Sequence, residues 1–124
     1  MIDRVRALRH DLGKYVALQI TSLPPDPTTE DLAEAVRADV LATRRGPDRT
    51  VAAVELWDAA SPALRAALAD NPSFLLLDQA MEGLRRLGPA ITADRPDRRD
   101  LEQAASCARA AADAVRALDR SVRR

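Results

Sequence analysis

Apolar residues recur along most of this chain at spacings of three and four, the period of a helix buried along one side. Between Ile2 and Leu23 the positions Val5, Leu8, Leu12, Tyr15, Val16, Gln19 and Leu23 fall on one face of a helix turning about 100° per residue. Pro24-Pro25-Asp26-Pro27 ends this element, because proline lacks an amide donor and restricts the residue before it. Thr28 can cap a second helix, with Asp31 near its positive end, and Leu32, Val36 and Val40 carry that helix to about Thr43. Arg44 to Asp48 reads as a loop. A short helix over 50–60 presents Val51, Val54 and Trp57, and Ser61-Pro62 then reads as a fresh start, giving a second short helix over 61–69 with Leu64 and Leu68. Asp70-Asn71-Pro72 breaks the chain again, and Ser73 can cap a helix from Phe74 to Leu87 that stops at Gly88-Pro89. After a loop over Asp94 to Asp97, the positions Leu101, Ala104, Ala108, Ala111, Val115, Leu118 and Val122 form one continuous heptad stripe of mostly small residues.

This pattern predicts an all-α fold: an antiparallel bundle of four long helices, with the two short helices over 50–69 as the connection across it. Composition agrees, since alanine, leucine, arginine and aspartate dominate and aromatics are scarce. At 124 residues the chain is expected to be one domain, 1–124, too small to hold a nucleotide-binding kinase domain beside a bundle. Trp57 and Phe74 read as core anchors, and Cys107 as a small buried residue.

Charge narrows the partners. The 19 basic and 19 acidic residues balance, so nucleic acid and anionic membrane have no electrostatic claim as main partners. The longest strongly apolar run, Phe74 to Leu77, is too short to cross a bilayer, and the charged first fifteen residues do not read as a secretory signal. One cysteine cannot form an internal disulfide and one histidine cannot build a di-iron bundle site, so neither a cofactor nor a metal is expected. A cytoplasmic protein with a protein partner is the expectation.

Chemistry concentrates in the first helix, which holds the single histidine, His10, and the single lysine, Lys14. His10 points away from the apolar stripe. Arg6 and Lys14 share its face one turn to either side, and Gly13 and Ala17 keep the surroundings of the imidazole low. An exposed imidazole, a neighbouring cation and clearance are what phosphoryl transfer to a histidine requires. The run Arg9-His10-Asp11-Leu12-Gly13-Lys14 resembles the phosphoacceptor helix of two-component signalling proteins. Histidine phosphotransfer domains carry lysine and glycine third and fourth after the histidine, where this chain has Gly13 and Lys14; sensor-kinase dimerisation helices carry Arg-His-Asp, as at Arg9-His10-Asp11. The resemblance implies exchange of a phosphoryl group with a response-regulator receiver domain or a signalling kinase. His10 would then be the nucleophile, Lys14 and Arg6 would offset phosphate charge, Gly13 and Ala17 would give clearance, and Asp11 would orient the ring or accept a proton. Two other readings stay open. His10 is also explained as a solvated surface residue on an arginine-rich helix. The chain is also explained as a non-enzymatic helical adaptor, one option being a homodimer, that binds through the outer face of the first helix or the heptad stripe of the last.

Overall fold

A computed structural model describes residues 1–21, 23–36, 49–91 and 95–123, with the side chains of 16–21, 34, 49 and 50 outside that description. The described residues form five helices: α1 (Ile2–Thr21), α2 (Thr29–Val36), α3 (Arg49–Leu68), α4 (Pro72–Ile91) and α5 (Arg98–Val122). The described residues hold helices and no strand, and none of these helices is long and apolar enough to cross a membrane.

Each of the long helices runs opposite to the long helix beside it. Arg9 of α1 meets Asp119 near the end of α5, whereas Arg98 at the start of α5 donates to the Pro27 carbonyl at 2.6 Å and to Thr29 Oγ1 at 3.2 Å, just beyond the end of α1. Asn71 at the head of α4 reaches Ser121 at 3.1 Å, fixing α4 antiparallel to α5. Two ion pairs, Arg65–Asp78 and Arg85–Asp58, set α3 antiparallel to α4. Since α1 also packs on α3, the helices α1, α3, α4 and α5 close into a ring in that order, and the described part of α2 lies against α5 and α1.

The core is one cluster drawn from all five helices. Trp57 and Phe74, both buried, are its largest members, with ring centroids 5.6 Å apart in a tilted pair and the Arg65 guanidinium 5.8 Å from the Phe74 centroid. On α5 the residues Leu101, Ala104, Ala108, Ala111, Val115 and Leu118 are all buried. The heptad stripe of the last helix is therefore consumed inside the chain, which removes it as a partner surface.

Three boundaries differ from the sequence reading, each for a local reason. The two short helices expected over 50–60 and 61–69 are one helix, α3, which passes through Pro62. Ala53, Trp57 and Leu64 lie on one side of it and are all buried in the same core, so packing on both sides of the proline outweighs the lost backbone hydrogen bond. The α4 helix starts at Pro72 rather than Phe74, capped by Asn71 and not by Ser73: Asn71 Oδ1 accepts from the Ser73 and Phe74 amides at 2.9 and 3.2 Å. It also continues through Gly88-Pro89 to Ile91, whose complete burial holds that last turn in place. The cap expected at Thr28 is present, and Asp97, read from the sequence as loop, caps the last helix. Thr28 Oγ1 accepts from the Asp31 amide at 3.1 Å while Asp31 Oδ2 accepts from the Thr28 amide at 2.9 Å. The stretch 37–43 assigned to the second helix lies outside the described residues.

Candidate functional site on helix α1

Burial of Val5, Leu8 and Leu12, with Tyr15 packed at the core margin, fixes which way α1 faces. The opposite side must then face water. His10, Arg6 and Lys14 are exposed there, one turn apart, which places neighbouring Cβ atoms roughly 5–6 Å from one another. Among the described residues the side chains of Arg6 and His10 engage no hydrogen bond or ion pair. The imidazole therefore has no competitor for its ring nitrogens.

The other expected site residues divide. Asp11 is half-exposed and its carboxylate lies 3.6 Å from Lys14 Nζ, so it faces the lysine and leaves His10 without an orienting group. A contact of that length on an exposed face is a weak ion pair, easily given up to a stronger anion. Gly13 is half-buried, and a methyl group added there would meet nothing within 4 Å. Among the described residues nothing requires glycine at this position. The side chain of Ala17 lies outside the described residues.

Arg9, part of the Arg-His-Asp run, is not available to a phosphate. Its Nη1 donates at 2.6 Å to Oδ2 of Asp119, a carboxylate with no exposed surface, and Arg123 donates to the same oxygen at 2.9 Å from one turn further along α5. The hydrogen bond from Arg9, above all, holds the Asp119 carboxyl below the usual carboxylate value, with the nearby charge of Arg123 adding to it against the cost of burial. The second oxygen, Oδ1, is buried without a hydrogen-bond partner. Sequence reading missed Asp119 altogether. Its signal was an acid one residue after Leu118 of the heptad stripe and one turn before Arg123, a position where helix packing covers a side chain.

Elsewhere the ionic contacts are structural. Arg85 grips both carboxylate oxygens of Asp58, pulling that acid's pKa down and its own up. Cys107 is half-buried over Gly83, and desolvation raises its thiol pKa, the opposite of an activated nucleophile. No group of three or more metal-ligating side chains converges among the described residues. Comparison with protein-family models, curated proteins and solved structures returns no match.

Proposed function

We propose that this protein is a histidine phosphotransfer-like signalling protein, in which the four long helices act as an up-and-down bundle that presents His10 to a receiver domain. The observation that carries the reading is His10 itself: exposed, unpartnered among the described residues, and flanked one turn away on each side by Arg6 and Lys14. In the reaction a lone pair of the neutral imidazole attacks the phosphorus of an aspartyl phosphate. The P–O bond to the carboxylate breaks, the carboxylate leaves with the bonding pair, and the ring N–H proton of the resulting phosphoimidazolium passes to solvent. Lys14, held only loosely by Asp11, turns to the incoming phosphate, and Arg6 approaches from the other side. Arg9 stays with Asp119 and keeps α1 seated against α5 while a partner closes on the outer face.

The test is incubation with a panel of phosphorylated receiver domains. Loss of acyl phosphate from a receiver, with matching gain of acid-labile phosphate on the wild-type chain and none on His10→Gln, supports transfer. A folded chain that binds a receiver equally well with and without His10, and gains no phosphate, supports docking without chemistry instead.

A further inference from the structure

The heptad stripe of α5 faces the core, but the same helix carries a second stripe on its outer side. Ser106, Ala110, Asp113, Ala117 and Arg120 alternate four and three residues apart, and all are exposed except the half-buried Ala117. Together with Leu76 of α4 they border a shallow open groove of about 620 Å³ between the two helices. Leu76 is 59% exposed and its neighbour Leu75 46%, although Phe74 and Leu77 on either side are fully buried. The run Phe74 to Leu77 thus turns two of its side chains out to water, and one of them, Leu76, stands beside the ridge of small residues.

We propose that this groove is the contact surface of a two-fold homodimer, with α5 of each copy packed antiparallel on the other. The charges favour a second copy. Asp113 and Arg120 stand two helical turns apart with Ala117 between them, so an inverted copy of the same stripe sets Asp113 against Arg120 of the partner copy, and symmetry repeats the pair. Arg120 has no ion-pair partner among the described residues. Asp113 meets Arg116 at 3.1 Å, but that pair lies within one exposed turn and contributes little, so the carboxylate is free to swing across. Alanines at 110 and 117 remove the side-chain bulk that keeps helices apart and allow axes at the short end of the usual 8–10 Å range. Each Leu76 then covers the other copy's alanine ridge and leaves water. No residue of α1 lines this groove, so the dimer stands or falls independently of the phosphotransfer reading.

Sedimentation velocity of the full chain over a wide concentration range tests this. A reversible monomer–dimer equilibrium is expected, weakened about tenfold or more by Asp113→Arg alone and by Arg120→Asp alone, since each places like charges together. Mixing these two variants in equal amounts should restore dimerisation as a heterodimer, because both cross pairs are again opposite in sign. Leu76→Glu, at an exposed position, should abolish the dimer while leaving the helical circular dichroism unchanged. A chain that is monomeric at every concentration overturns the proposal. So does a dimer indifferent to these substitutions, or one that the two charge variants weaken without recovering on mixing.

Discussion

Asp119 Oδ2 receives hydrogen bonds from Arg9 Nη1 at 2.6 Å and from Arg123 at 2.9 Å, so a carboxylate with no exposed surface fastens α5 to the residue immediately before His10. The two sides of this contact are not equivalent. Both guanidinium side chains are more than two-fifths exposed, so without the acid they hydrate readily, whereas without an arginine the buried acid keeps its desolvation cost. Arg9→Ala is therefore expected to cost about 1–3 kcal/mol of folding stability. Arg9→Ala/Arg123→Ala should cost more, and Asp119→Ala less than the double variant. Urea unfolding gives the order; the reverse order would mean that Asp119 is not held chiefly by these two arginines.

The same contact sets an acid limit. With the native Asp119 carboxyl below its ordinary value near 3.8, the folded chain binds this proton less readily than the unfolded chain does. Its contribution to stability is fully present above about pH 4 and is lost as the pH falls through the lower native value. Thermal midpoints between neutral pH and pH 5 should not register Asp119. Below pH 4 the wild type should lose stability more steeply than Asp119→Asn, and parallel acid limbs for the two proteins would count against the lowered carboxyl.

Gly83 has a steric reason to be glycine. A Cβ built there would lie 2.7 Å from Cys107 Sγ, closer than atoms can approach, so Gly83→Ala alone should destabilise α4 against α5. In a Cys107→Ala background the obstruction is gone, and the helix should gain about 0.5–1 kcal/mol from the same substitution. A double-mutant cycle by urea unfolding reads this coupling directly, and additive effects would show that the contact is absent in solution.

Gly13 predicts the opposite balance. Among the described residues nothing lies within 4 Å of an added methyl group, so Gly13→Ala should stabilise the fold by about 0.5–1 kcal/mol. If the clearance serves a receiver domain, the stabilised variant should exchange phosphate with receivers more slowly than wild type while a small phosphodonor labels it equally well. Equal receiver rates would remove Gly13 from the site.

Local rules legible in the sequence account for much of the fold. The core face of α1, the capping of α2 by Thr28 and the buried stripe of α5 all follow from periodicity and cap chemistry, because each depends on residues within one or two turns. What escaped depends on contacts distant in sequence. Pro62 reads as a break until Trp57 and Leu64 are seen in one core, and Gly88-Pro89 as a helix end until the burial of Ile91 is known. The outward position of His10, Arg6 and Lys14 was legible from the apolar stripe opposite them. The commitment of Arg9 was not, since its partner lies 110 residues away, and Asp11 turned to Lys14 rather than to the ring.

The most direct measurement is phosphorylation of the intact protein by phosphoramidate, with the product mapped by mass spectrometry under alkaline conditions and followed for loss in acid. Wild type should carry one acid-labile phosphate at His10, His10→Gln should carry none, and Lys14→Ala should label more slowly than wild type. Absence of label on a folded wild-type chain, or equal label on His10→Gln, would contradict a phosphoacceptor role for His10.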